Sequence, residues 1–115
     1  MAGSIFGIHA AALELRSQRM GLITANIANA ATPGYKARDI DFAAALKARG
    51  EGLGRDAAVA RTTQYRVPVM PSLDGNTVEM ATEQTAFTEN AVAYQATLGF
   101  IRGRVDTLTR ALKGD

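Results

Sequence analysis

The chain lacks cysteine and tryptophan altogether, and it holds only three prolines and one histidine in 115 residues. Without cysteine there is no disulfide framework, no thiolate zinc site and no cysteine nucleophile. Zero cysteine leaves the compartment open. His9 stands alone on an expected helix, with no acid, base or nucleophile set around it, so neither catalysis nor metal binding is expected. No apolar run approaches the ~20 residues of a membrane span. The first residues lack the positive start of a secretory signal, and His9, Glu14, Arg16 and Arg19 interrupt any apolar core. On these signals alone the chain is expected to be cytosolic, or exported by a route without a cleaved signal peptide. Aromatic residues make up only 6% of the chain, so few large side chains are on hand to fill a globular core.

What is present is small and apolar. Hydrophobic residues reach 47%, and alanine accounts for about one residue in five, well above average usage. Small side chains let helices approach closely but bury little area each. Thirteen Lys+Arg against eleven Asp+Glu leave a net charge of +2. Basic residues are interleaved with acids, as in Arg38-Asp39 and Arg55-Asp56, and not clustered as nucleic-acid binding requires.

Three segments follow from the pattern: an N-terminal helix segment over residues 1–31, a linking segment over 32–79 and a C-terminal helix segment over 80–115. Residues 4–31 are rich in good helix formers, with Ser4 as N-cap. Phe6, Leu13, Met20 and Ile27 form one stripe, and Ile8, Leu15 and Leu22 form another about 200° away. Two stripes predict burial on both sides, either inside a bundle or between neighbouring subunits. Thr32-Pro33-Gly34-Tyr35 stops the helix, with Pro-Gly suited to a type II turn. Asp41 caps a short helix over Phe42–Arg49. Gly50–Gly54 is a flexible link, Arg61–Met70 is extended but limited by Pro68 and Pro71, and Asp74-Gly75-Asn76 is a turn. Residues 80–113 form the second long helix. Phe87, Ala91, Tyr94, Leu98, Ile101, Val105, Leu108 and Leu112 step by four and three along it as one a/d helix-packing seam. Early acids (Glu79, Glu83, Glu89) and late bases (Arg102, Arg104, Arg110, Lys113) suit the helix dipole. The expected fold is mainly α: two long helices pairing as an antiparallel coiled-coil-like hairpin, with an irregular middle segment containing a short helix and extended and turn structure.

No constellation supports chemistry. Asp39 and Asp41 suit turn and cap roles, Asp74-Gly75-Asn76 lacks the further oxygens of a calcium loop, and Gly50–Gly54 lacks the Lys-Ser/Thr of a phosphate loop. No catalytic residue, cofactor, metal, nucleic acid or small-molecule substrate is expected. Asn26 and Asn29 share a helix face, where their amides can bond the last free carbonyls or reach a neighbouring helix.

The run Asn26, Asn29, Thr32, Pro33, Gly34, Tyr35, Lys36 resembles the Asn-x-x-Asn-x-x-Thr-x-Gly-Tyr-Lys signature of the flagellar rod and hook family of bacterial axial proteins, with Pro33 at the variable position. Leu15–Met20, Tyr35–Phe42, Pro71–Val78 and Asn90–Gln95 look like the proximal-rod members of that family, and residues 43–63 carry no such stretch. The resemblance implies a structural subunit of the proximal rod, packing helically into the driveshaft that turns hook and filament. It implies as partners other copies of the chain, other rod subunits, the ring-to-rod adaptor protein FliE, the inner-membrane MS-ring protein and the flagellar type III export apparatus. The implied location is the periplasm-spanning rod of the basal body. Phe42 and Leu46 fit the Phe-x-x-x-apolar pattern that the export gate of this family reads, although such a pair is also ordinary helix packing. A cytosolic helical coiled-coil adaptor or regulator would explain the heptads equally well, but not the matching loop stretches.

Overall fold

The computed structural model describes residues 3–114, with side chains from Phe6 onward. The outer ends of the two helical segments, residues 1–2 and 115, lie outside the described residues. Elements run α1 (Gly3–Ala28), β1 (Arg38–Ile40), α2 (Phe42–Gly50), α3 (Arg55–Thr62), β2 (Thr63–Tyr65) and α4 (Met80–Lys113).

α1 already includes Ser4, so Ser4 is not its cap, and it ends three residues before the expected boundary. The reason is local. Asn29 turns its Nδ2 back onto the Ala25 carbonyl at 2.8 Å, and the Ala30 amide tightens onto Ile27 at 3.2 Å, which closes the helix in a 3₁₀-like turn. Gly34 then takes φ +74°, and the Tyr35 amide bonds the Thr32 carbonyl at 3.2 Å, completing the type II turn that Pro33-Gly34 favours.

The middle segment folds onto α1. Asp41 caps α2, its side chain accepting from the Ala44 amide. β1 and β2 pair antiparallel, with Asp39 opposite Gln64. Two expectations need correction here. Part of the stretch after the glycine link is helix α3, and of Arg61–Met70 only Thr63–Tyr65 forms a strand. The β-branched Thr62 and Thr63 suggest extended chain, but their hydroxyls bond back to the Ala58 and Val59 carbonyls at 2.7 and 2.6 Å. That back-bonding keeps Thr62 in the helix and ends it at Thr63.

α4 begins and ends where the sequence places it, stopping at Gly114, which takes the left-handed conformation at φ +76°. It packs antiparallel on α1. His9 meets Phe100 with ring centroids 4.3 Å apart, Asn90 donates to the Arg16 carbonyl at 2.8 Å, and Asn26 donates to Glu83 at 3.0 Å. The result is elongated, 65 × 26 × 18 Å.

α1 is covered on two sides, but of its two stripes only Leu15 is buried; Ile8 is 51% exposed and Phe6, Leu13, Met20, Leu22 and Ile27 are half-buried. The Leu15 side is covered by the middle segment of the chain itself. Leu15, Ile40 and Ala45 form a buried cluster, with Leu22, Phe42, Leu46 and Val59 packed against it. The Arg16 guanidinium lies 3.6 Å over the Phe42 ring. Leu15 is fully buried at the centre. Leu15→Ala is expected to destabilise the folded chain by about 2–5 kcal/mol in urea unfolding, as for other large-to-small core changes.

Candidate functional site: a polar latch at the end of the first helix

The motif residues at the end of α1 converge with the 72–77 loop and with α4. Asn26 is fully buried. Its Nδ2 donates to the Arg38 carbonyl at 2.8 Å and to Glu83 Oε2 at 3.0 Å, while its Oδ1 accepts from the Arg38 amide at 3.1 Å. One side chain therefore joins α1, β1 and α4, and satisfies its buried carboxamide almost completely. Asn29 stays local: besides bonding Ala25, its Oδ1 accepts from the Thr32 hydroxyl at 3.0 Å.

The last carbonyls of α1 are met locally by Asn29 and Ala30, and the backbone of the turn that follows is held from across the chain. Asn76 Nδ2 donates to the carbonyls of Asn29 (2.9 Å), Ala30 (3.1 Å) and Thr32 (2.7 Å). The Gly34 amide donates to the Asp74 carbonyl at 2.9 Å, the Thr77 amide to the Tyr35 carbonyl at 2.9 Å and the Ala37 amide to the Thr77 hydroxyl at 2.8 Å. Lys36 Nζ donates to the Gly75 carbonyl. The loop is itself braced by Asp74, whose Oδ1 accepts from the Asn76 amide and the Ser72 hydroxyl, both at 3.0 Å. The Asn76 amide first and the Ser72 hydroxyl second hold the Asp74 carboxyl below the usual carboxylate range.

Behind Asn26 runs a chain of ion pairs. Glu83 is fully buried and pairs with Arg66. Arg66 also reaches Asp39 at 3.0 Å, and Asp39 takes both nitrogens of a bidentate Arg19 at 2.9 Å each. The hydrogen bond to Asp39 raises Arg19 above the ordinary guanidinium value.

Sequence reasoning singled out Asn26 and Asn29 to Lys36, and the structure brings Asn26, Asn29, Thr32, Gly34, Tyr35 and Lys36 into this latch through side chain or backbone. It missed Arg19, Asp39, Arg66 and Glu83 as members of one network. The signal available was Glu83 itself: an acid three residues before Ala86 and seven before Asn90, on the stripe that α4 buries within this chain. That stripe lies one position before Phe87 and Ala91 of the seam. Ala91, Tyr94, Leu98 and Ile101 are half-buried. Phe87 is 42% exposed, Val105 and Leu108 are each 49% exposed, and Leu112 is 89% exposed. Phe42 and Leu46 pack in the α1–α2 core.

Among the described residues no group of three or more His, Asp or Glu side chains could hold a metal ion, and no helix is long and apolar enough to cross a membrane. The arrangement is one of mutual satisfaction between Glu83, Arg66, Asp39 and Arg19. Removing one partner of a buried ion pair strands the other. Arg66→Met is therefore expected to destabilise the chain by about 3 kcal/mol. Arg66→Met combined with Glu83→Leu is expected to recover most of that loss in the same denaturation measurement.

Known proteins share this chain's sequence over nearly its full length. The family model for the flagella basal body rod protein matches residues 6–36, the span from α1 through the turn. The flagellar basal body rod protein FlgB of Cereibacter sphaeroides is 51% identical over 95% of this chain and 94% of its own length. FlgB of Aeromonas hydrophila is 42% identical over 96% and 93%, and FlgB of Escherichia coli K12 is 43% identical over 89% and 88%. Identity of that level across both full lengths shows that the chain belongs to the FlgB family of flagellar basal body rod proteins.

Proposed function

We propose that this chain is a structural subunit of the proximal flagellar rod, and no enzyme, and that it packs helically with copies of itself and with other rod subunits into the driveshaft. The observation that carries the reading, beyond family membership, is the far end of α4. His9 of α1 already meets Phe100, so the helix runs on past the start of α1. There Val105, Leu108 and Leu112 stand exposed at seam spacing. An apolar seam of that kind fits a neighbouring helix, and unlike surfaces meeting on identical copies build a helical assembly where the rotation between copies does not close a ring. The ring-to-rod adaptor FliE and the MS-ring protein are the expected neighbours at the base. The rod lies across the periplasm, and the subunit reaches it through the type III apparatus without a cleaved signal.

The test is localisation. In a strain lacking the gene, the tagged chain is expected to restore motility and to co-purify with isolated basal bodies. A chain that remains cytosolic while motility is normal without it would favour a coiled-coil regulator instead. The export reading of Phe42 and Leu46 has its own test. Both are packed in the folded chain, so the gate must meet them before folding. Phe42→Ala loosens the fold, which does not by itself hinder an exported, unfolded chain. The expected outcome is retention in the cytoplasm; secretion at the normal level returns Phe42 to core packing alone.

A further inference from the structure

Asp74-Gly75 is the only Asp-Gly pair in the sequence, and no Asn-Gly pair occurs. An aspartate before glycine is prone to rearrange its main chain, because glycine has no side chain to shield its amide nitrogen from the neighbouring carboxyl. Gly75 sits at φ +77°, where L side chains are strained. The turn that requires a glycine here therefore also creates the reactive pair. Asp74 is exposed, so water is at hand.

The rearrangement takes two steps, and the water lost in the first returns in the second. The Gly75 nitrogen attacks Cγ of the protonated Asp74 carboxyl. The N–Cγ bond forms, the Cγ–OH bond breaks, and the hydroxyl leaves with the amide proton as water. Water then adds to the five-membered imide at the Asp74 main-chain carbonyl carbon and breaks that carbon's bond to nitrogen. The main chain now runs through Cγ and is one methylene longer. The former main-chain carbonyl becomes a free carboxylate.

The folded latch opposes the first step at each group involved. The Gly75 amide donates to the Ser72 carbonyl at 3.3 Å, and the Asp74 carbonyl accepts from the Gly34 amide at 2.9 Å. Both polar atoms of the reacting peptide group are thus held. Asp74 Oδ1 accepts from the Asn76 amide and the Ser72 hydroxyl, which fixes the direction of the carboxyl. The Asn76 amide first and the Ser72 hydroxyl second also keep that carboxyl ionised to lower pH than usual, and a carboxylate has no hydroxyl to expel. Lys36 Nζ holds the Gly75 carbonyl on the other side. We propose that Asp74-Gly75 is a site of isoaspartate formation that the latch keeps closed, and that conversion there opens the latch for good. Asn76 lies just beyond the pair, and its Nδ2 reaches the carbonyls of Asn29, Ala30 and Thr32. An extra methylene before Gly75 moves Asn76 out of that register. Any stage at which the chain is unfolded leaves the pair unprotected.

The test ages the full-length chain at mildly acidic pH, in buffer and in parallel in guanidinium. Isoaspartate at position 74 is located by peptide mapping with electron-transfer fragmentation, which separates the two linkages at equal mass. Reaction through an opened loop follows the population of the open form, so conversion in guanidinium is expected to be about tenfold faster or more. Two variants then loosen the clamp in the folded chain. Ser72→Ala removes one donor from Asp74 Oδ1, and Lys36→Met, at an exposed side chain, frees the Gly75 carbonyl. Each is expected to speed conversion about threefold, within the range of one net hydrogen bond, while circular dichroism shows the chain still folded. The two touch different bonds, so a variant that fails to fold leaves the other to decide. Converted chain returned to buffer is expected to exchange the Gly34 and Ala37 amide hydrogens faster than unconverted chain. Equal conversion in buffer and guanidinium, no isoaspartate at position 74 in either, or unchanged rates in the folded variants overturns the proposal. So does equal protection of those two amides before and after conversion.

Discussion

A carboxylate taken wholly out of water has to be compensated on the spot, and Glu83 is buried completely in the middle of a helix pair. Desolvating an ion is worth several kcal/mol against folding unless charge and hydrogen bonds replace the lost water. Asn26 and Arg66 supply the replacement, and each has a second obligation. Asn26 holds both backbone groups of Arg38, which aligns the start of β1 beside α1. Arg66 leaves β2 and spans Glu83 and Asp39, so the second strand is tied to the helix pair as well as to its partner strand. Arg19 completes the line from α1. The helix hairpin and the small sheet are therefore one unit, since neither can shift without stranding a charge.

This matters because the helix interface offers little else to fix its alignment. Among the described residues, the fully buried face of α4 is Glu83, Ala86 and Asn90, two polar side chains and one methyl. Interfaces built on alanine allow close approach but have little relief, and large knobs in matched holes are what usually set register. Here the polar groups take over that task at two separated points, Asn26 with Glu83 and Asn90 with the Arg16 carbonyl. The scarcity of aromatics in the sequence and the presence of buried amides in the structure are two sides of the same constraint.

Periodic features were legible in the sequence, and sequence-distant ones were not. The α4 seam is unbroken over about four heptads, from Phe87 to Leu112, so the helix itself was readable. Asp41 and the Pro33-Gly34 turn carry their own local chemistry, so α2 and the chain reversal were readable too. α3 was missed because Thr62 and Thr63 point to extended chain on propensity, whereas their hydroxyls find helical carbonyls. β1 is three residues long and exists only because β2 lies beside it. The latch was half visible: Asn26 and Asn29 stood out, and so did the Asp74-Gly75-Asn76 turn, but nothing local says that Asn76 caps a helix more than forty residues away. Glu83 looked like an early acid favouring the helix dipole, a role any exposed glutamate there would serve. Only its place on the stripe with Ala86 and Asn90 distinguishes it.

The order in which these contacts can form gives the architecture a direction. Bonds within the first part of the chain, Asn29 to Ala25, Asn26 to Arg38 and Arg19 to Asp39, span twenty residues or fewer, so their loops close cheaply in entropy. Docking of the 72–77 loop and of α4 spans forty to seventy-four residues, and long closures come later in folding. The middle segment can thus cover the Leu15 side of α1 before α4 arrives, leaving the opposite side for α4. α4 is longer than the helix it lies on, and toward its end Val105 and Leu108 are half exposed and Leu112 is almost fully exposed. A self-contained domain would gain nothing from that excess length. On the rod reading proposed above, that excess is the part of α4 left for a neighbouring subunit.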